Sequence, residues 1–336
     1  MNLTSRINQS GRTALVLFVI VSMLALPLYA SAQTSTGELQ TRFAIDGALY
    51  TSPPGEPAPY LNEDGRTMVP ASFFAAALGV PPQGIQWDAD TKTATISHEG
   101  QVLQLTLGQP YLLVNGAQQP IDTTIAIRDG RIFIPVRFIA EGLGVQTAWD
   151  THSRIVHLST DGPALSPAEA RDVIADQADE VMQLISELDL DGLADHVHPE
   201  RGLRFSPYSY VDVEEHVVLY ADELASNLIN PELREWGFFD GSGETILLDF
   251  EDYWLRFVYS HDFRQAPEVS YNEQLFSGNM INNAPTVYGG SIIVEYHFDG
   301  IDEQYAGMDW RSLRLVFQPY GEEWRLTGII NDEWTT

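Results

Sequence analysis

The chain predicts an α+β protein in two parts, a tandem βαβ-hairpin module followed by an α+β cone built on an antiparallel sheet. Three observations carry that expectation. One segment is written twice. Asp64-Gly65-Arg66-Thr67-Met68-Val69-Pro70 leads through Phe73-Phe74 and Leu78-Gly79 to Trp87-Asp88, and Asp129-Gly130-Arg131-Ile132-Phe133-Ile134-Pro135 leads through Phe138-Ile139 and Leu143-Gly144 to Trp149-Asp150. A stretch beginning at Ser166 then repeats apolar residues at helical spacing, and the C-terminal end alternates apolar and polar residues with period two.

Each copy of the repeat reads as the same series of elements. Ile45-Asp46-Gly47 and Val114-Asn115-Gly116 place Asp-Gly and Asn-Gly beside apolar residues, the signal for a tight hairpin turn. The Asp-Gly-Arg segments mark a second turn, and the residues up to Val69 or Ile134 form a short strand. Pro70 and Pro135 stand where a helix can start, because its first N–H groups need no intrahelical acceptor. Ala71, Phe74, Ala75 and Leu78, and likewise Val136, Ile139, Ala140 and Leu143, make one apolar stripe per helix. Gly79 and Gly144 follow at the C-cap. A strand to Trp87-Asp88 or Trp149-Asp150, a turn, and a return strand (Thr93 to Ile96, Arg154 to Leu158) complete the unit. Neither copy has enough apolar surface to fold comfortably alone, so the two are expected to pair into one body.

In these residues the chain resembles the copper amine oxidase N-terminal-like domain, also called the stalk domain, of exported bacterial proteins. The resemblance covers Phe43 to about Ser159, with Ala71-Ser72 in the first copy against Val136-Arg137 in the second and Pro81-Pro82-Gln83 as an insertion. It implies a spacer or envelope-associated module over residues 43–160. It does not imply amine oxidation, which needs an Asn-Tyr-Asp/Glu segment and three copper-binding histidines in a separate domain. Here Tyr271-Asn272-Glu273 has the wrong order.

Composition sets the compartment. Arg6 and Arg12, the apolar run from Ala14 to Leu26, Pro27 and the small residues Ala30-Ser31-Ala32 read as a secretory signal peptide over residues 1–32. The apolar run is short for a bilayer span of roughly 20 residues, so no membrane attachment is expected after cleavage. No cysteine is present, which excludes disulfides, thiolate metal sites and thiol catalysis together. The formal charge is −29, and it becomes −31 once Arg6 and Arg12 leave with the leader. Lys92 is the sole lysine. Such an acidic surface repels nucleic acid and anionic lipid.

After a linker at 161–166, the second part spans 167–336. Ser166-Pro167-Ala168-Glu169 combines an N-cap serine, a proline at the first helical position and a capping-box glutamate. Ala170, Val173, Ile174, Ala178, Val181, Leu184, Ile185 and Leu188 continue the helix. Shorter helices are expected from Asp191 to Val197 and around Glu214 to Leu228. Ile292 to Phe298, Leu313 to Phe317 and Trp324 to Ile330 alternate as three strands of an antiparallel meander. A long helix on a bent sheet is similar to the cone of the nuclear transport factor 2 superfamily. His198-Pro199-Glu200-Arg201-Gly202, Trp236-Gly237, Glu295-Tyr296-His297-Phe298 and Met308-Asp309-Trp310-Arg311-Ser312-Leu313 also resemble an uncharacterised family of exported proteins and lipoproteins of Gram-positive bacteria.

Candidate chemistry is sparse. Glu295, His297 and Arg314 lie on the less apolar parity of two adjacent strands, where a cone can hold a cavity and a carboxylate with an imidazole can do acid–base work. The competing expectation is an exposed cross-strand ion pair between Glu295 and Arg314. His196 and His198, with Glu200 nearby, are at metal-ligand spacing but lack an assignable third ligand, so no metal and no cofactor are expected. Asp189-Leu190-Asp191-Gly192 and Asp240-Gly241-Ser242-Gly243-Glu244 are fragments of calcium loops that do not complete the pattern. The aromatic cluster Trp236, Phe238, Phe239, Tyr253, Trp254, Phe257 and Tyr259 has the chemistry to stack on sugars, but aromatics this dense read as core. No nucleophile-elbow, zincin or phosphate-loop motif occurs. The expectation is a secreted, non-enzymatic protein of the cell envelope of a Gram-positive-type bacterium. Its repeat module would act as spacer or adaptor, and its C-terminal part would bind a cell-wall component or an extracellular protein. The rival is a cell-wall hydrolase with its carboxylates in the C-terminal part.

Overall fold

The duplicated segment folds as two interlocked copies. The computed structural model describes residues 42–50, 57–150, 154–162, 164–229, 231–276 and 278–335, which fall within one compact unit, Leu39–Thr336. The leader expected over residues 1–32 lies outside the described residues. The first copy comprises β1 (Arg42–Ile45), β2 (Ala48–Tyr50), β3 (Tyr60–Leu61), β4 (Thr67–Pro70), α1 (Ala71–Ala77), β5 (Ile85–Asp88) and β6 (Thr93–His98). A connecting strand, β7 (Gln101–Thr106), leads into the second copy. That copy comprises β8 (Tyr111–Val114), β9 (Ala117–Pro120), β10 (Ala126–Arg128), β11 (Arg131–Pro135), α2 (Val136–Gly142), β12 (Gln146–Asp150) and β13 (Ile155–Ser159).

Neither copy closes its own sheet. The first hairpin, β1–β2, joins the last hairpin, β12–β13, in the order β12-β13-β1-β2, with β1 and β13 parallel. The other hairpins share the sheet β5-β6-β7-β8-β9. Between them, β4 and β11 pair antiparallel in β10-β11-β4-β3. Val69 faces Ile134 there, Met68 faces Pro135 and Pro70 faces Phe133. Corresponding residues of the two copies therefore exchange partners about the Val69–Ile134 pair, the pattern of a local two-fold axis. Both turns at Asp46-Gly47 and Asn115-Gly116 have positive φ at both positions, as a type I′ hairpin requires. One core serves both copies: Phe43, Val69, Phe74, Ile96, Leu103, Ile134, Ile139 and Leu158 are buried together.

In the C-terminal body α3 (Pro167–Glu187) starts with the expected capping box, in which Ser166 and Glu169 bond each other reciprocally. Its Ala170, Ile174, Ala178, Val181, Met182 and Ile185 face the core. α4 (Leu190–Ala194), β14 (Leu203–Ser206), β15 (Val218–Leu219), α5 (Ala221–Leu224) and α6 (Ser226–Ile229) follow. The helix expected from Glu214 is thus broken at its start. Val217 and Leu219 are drawn to the sheet edge, where β15 pairs with β14, and helix begins only after Tyr220. A hairpin of β16 (Arg234–Phe238) and β17 (Thr245–Leu248), then α7 (Phe250–Tyr253) continued by a π-helical turn at Trp254–Val258, bring in the aromatic residues. Trp236 stacks on Tyr253 at 4.0 Å inside the main core with Trp254 and Phe257, Phe239 and Tyr259 pack partly buried against it, and Phe238 points outward, 55 % exposed. β18 (Glu268–Tyr271), α8 (Ala284–Val287), β19 (Ile292–Phe298), β20 (Arg311–Tyr320) and β21 (Glu323–Glu333) complete the chain. The sheet order is β15-β14-β21-β20-β19-β18, and it contains the expected meander β19-β20-β21; β14 runs parallel to β21, which the long connection between them permits, so the sheet is mixed where a wholly antiparallel one was expected. The whole is a mixed α+β structure.

This sheet is buried on both faces. Ile292, Val294, Leu313, Leu315 and Phe317 pack on the side of α3, and Val316 and Ile330 join a second cluster with Ala44 and Ile155 of the module. All five residues of β13 are buried for the same reason. Val156 and Leu158 enter the module core, Ile155 enters the shared cluster, and Ser159 Oγ donates to the Gly289 carbonyl. Gly47 belongs to this junction. A Cβ there would stand 3.0 Å from the Tyr288 ring, so the turn residue also admits a neighbour. Ionic contacts reinforce the apolar ones. Arg201 forks onto Asp161 at 2.8 and 3.0 Å and reaches Asp46 at 3.0 Å. Arg204 donates to the carbonyls of Gly47 and Val213. Tyr210 and Asn283 donate to Asp150 at 3.0 and 3.2 Å.

Shortening Ile134 to Ala removes one half of the pair on the local axis and leaves a cavity shared by both copies. Urea unfolding of the variant should show a loss of about 2–5 kcal/mol.

Candidate functional site

The residues singled out on the meander are brought together in part. Glu295 and Arg314 are direct cross-strand partners, 3.0 Å apart, and each is 1 % exposed. The pair is therefore buried, which corrects the expectation of an exposed one. The face that carries it is covered by the loops around Ser209 and Asn283 and by the module. Arg314 also donates to Asp332 at 2.9 Å and to Ser209 Oγ at 2.8 Å, and Ser209 donates to Asp332 at 2.5 Å. Glu295 accepts the Leu275 backbone N–H at 3.1 Å. Burial raises the Asp332 carboxyl above its ordinary value, against the opposing pull of Arg314. Glu295 and Arg314 line a cavity of about 120 Å³ with Asn272, Gln274, Asn282 and Ser291.

His297 takes no part in that cavity's lining. Its ring stacks on Phe276 at 5.5 Å and lies 6.1 Å from Trp310. Nδ1 is 2.8 Å from Ser312 Oγ and Nε2 is 3.0 Å from Asp299. The three residue types are those of a serine hydrolase, but the arrangement is inside out. Ser312 is wholly buried and the Asp299 side chain is 80 % exposed, whereas a triad needs an accessible nucleophile and a sheltered carboxylate. This chain of bonds anchors β19 to β20.

His196 and His198 face different partners. His196 Nδ1 lies 3.4 Å from Gln177 and its Nε2 3.9 Å from Glu180. His198 Nδ1 accepts the N–H groups of Glu200 and Arg201, and its ring meets Tyr320 edge-on. Among the described residues no group of three His, Asp or Glu side chains is placed to hold a metal ion. Asp189 caps α4 by accepting from Gly192, and Asp240 to Gly243 form the β16–β17 turn, so both acidic loops serve local structure.

Sequence reasoning passed over two features. The first is His157 on β13, 3 % exposed with both ring nitrogens unpartnered. Burial pushes it down to about 4, with Asp150 opposing and Arg204 assisting. His216 is likewise held at about 4 by burial, against Asp212 and with Arg204. The second is a groove of about 490 Å³ in the module, lined by Leu61, Arg66, Thr67, Val136, Arg137, Phe138, Thr147, Trp149 and Val156. Its volume lies within the range of small-molecule sites. The signal for it was the exposed Trp of each Trp-Asp pair, 36 % and 46 % accessible at Trp87 and Trp149.

Residues 45–158 match the family model described as copper amine oxidase N-terminal domain. The match covers the repeat module and ends before the C-terminal body. No curated protein and no solved structure matches the chain. No helix among the described residues is long and apolar enough to cross a membrane.

Two measurements follow from the geometry. Replacing Arg314 by Met leaves the buried carboxylates of Glu295 and Asp332 without their cation, and should cost about 3–5 kcal/mol in urea unfolding at neutral pH. The second concerns acid. A histidine held at about 4 in the folded state and near 6.5 when unfolded leaves stability intact above 6.5, drains it as pH falls, and completes the loss near 4. Each such group accounts for about 3 kcal/mol at about 1.4 kcal/mol per pH unit. Asp46 and Asp332, raised by burial, act in the opposite sense over the lower part of that window. His157→Thr, the residue of the first copy at Thr95, isolates one histidine. The melting temperature of the variant should fall less between pH 7 and 4.5 than that of the parent.

Proposed function

We propose that this chain is a secreted, non-enzymatic protein of the cell envelope of a Gram-positive-type bacterium. The repeat module is its spacer or adaptor, and the C-terminal body holds a ligand or partner, a wall component or an extracellular protein. The observation that carries this reading is the state of the candidate reactive groups. Glu295 is neutralised by Arg314, and Ser312 is sealed beneath His297. The match of residues 45–158 to the amine oxidase N-terminal domain supports the adaptor role of the module, since that part is distinct from the catalytic apparatus the family name refers to. The leader sequence supports export. The long α3 against the bulged antiparallel meander β19-β20-β21 supports a nuclear transport factor 2-like cone for residues 167–336, and the segments His198–Gly202 and Met308–Leu313 support kinship with exported Gram-positive proteins.

One observation favours the hydrolase reading: Glu295 does line a cavity, although one smaller than most substrate sites. Both readings are tested on purified cell walls. The purified protein should sediment with the walls and leave their turbidity unchanged. Release of soluble wall fragments that disappears on Glu295→Gln would replace the adaptor reading with the hydrolase.

A further inference from the structure

The two copies of the repeat share the helix and the Trp-Asp hairpin, but their surroundings differ: β13 pairs directly with β1, whereas β7 lies between β6 and β8. At the second copy's tryptophan lies the 490 Å³ groove. Phe138 is half-buried beside it, and Trp149 stands 46 % exposed at its mouth. The corresponding Phe73 is buried, with its ring 5.8 Å from Phe43 and 5.3 Å from Tyr50. Phe138, by contrast, lines the groove with Thr147, Trp149 and Val156. Arg137 likewise stands where the first copy has Ser72.

The lining specifies a chemistry. Leu61 and the half-buried Phe138 give apolar walls, and Trp149 gives a flat partly exposed ring against which a sugar face can pack. Arg66 and Arg137 present planar donors, but each is held by a carboxylate. Arg66 bonds Asp122 through Nε at 2.9 Å, and Arg137 bonds Glu141 through Nε at 2.7 Å. The rim therefore offers fixed hydrogen-bond donors with no surplus charge, which suits hydroxyl and carbonyl oxygens rather than an ion. The strongly acidic chain disfavours polyanions in any case. A ligand with a pyranose face, neutral oxygens and a small apolar substituent matches every part of this lining. We infer that the groove between Trp149, Phe138 and the Arg66–Arg137 rim binds a neutral N-acetylated hexosamine glycan. Its ring stacks on Trp149, and its acetamido methyl meets Leu61 and Phe138.

The inference deepens the adaptor reading by naming what the module would hold, and it rests on that reading. The test is a titration of the purified protein with tri-N-acetylchitotriose, followed by calorimetry, with cellotriose as the ligand lacking acetamido groups. Saturable binding of the acetylated trimer is expected, with cellotriose at least tenfold weaker. Trp149→Ala should raise Kd at least tenfold, and Trp87→Ala should leave it unchanged. Arg137→Ala, an exposed position that does not threaten folding, should also weaken binding. No binding at millimolar trimer, equal affinity for cellotriose, or equal effects of Trp87→Ala and Trp149→Ala would each overturn the inference. If the protein sediments with walls yet binds no trimer, the groove assignment falls and the adaptor reading stands.

Discussion

A β-strand that is buried on both faces must find apolar or paired polar neighbours on each, and β13 is the strand on which this architecture turns. Val156 and Leu158 complete the module core on one face, and Ile155, His157 and Ser159 meet the C-terminal body on the other. The equivalent strand of the first copy, β6, buries only Ala94 and Ile96. Two copies related by a local axis are thus made unequal by what covers one of them. The inequality explains the junction chemistry. Asp46 is drawn in toward Arg201 while its counterpart Asn115 stays exposed, and Asp150 receives Tyr210 and Asn283 while Asp88 caps a surface turn.

The second buried face lies on the C-terminal sheet and carries the same logic. Apolar coverage is provided by Val316 and Ile330, and the polar remainder is satisfied internally through Arg314, Glu295, Asp332 and Ser209. Charges this deep are tolerated only when matched, so the cluster reads as a structural fastening with a small cavity at its edge. The groove in the module differs in kind. It is open, larger and lined by side chains whose charges are already neutralised, and it stands at the point where the second copy departs from the first.

Much of this was legible in the residues. The repeat, its hairpin turns, the helix stripes, the capping box at Ser166 and the three-strand meander all follow from local spacing, because each is decided by contacts within a few residues. What escaped was decided by long-range contacts. Nothing in Asp46-Gly47 as against Asn115-Gly116 tells which turn an arginine from β14 will reach. Glu295 and Arg314 alternate with apolar residues as exposed pairs do, and the covering loops from 207 to 213 and 283 to 291 carry no periodic signal. The segment from Glu214 looked helical by composition, yet Val218 and Leu219 were claimed by the sheet edge. His297 shares the parity of Glu295 on its strand, but its ring meets Ser312 and Asp299, contacts that strand alternation does not encode.

The junction at β13 joins the repeat module to the C-terminal body as one cooperative structure. Peptide-resolved hydrogen exchange across a urea series tests this most directly. Amides of β13, of the Val69–Ile134 pair and of β20 should open with one common free energy and one common denaturant dependence. Opening of residues 45–158 as a separate unit at lower urea, with β20 still protected, would contradict it.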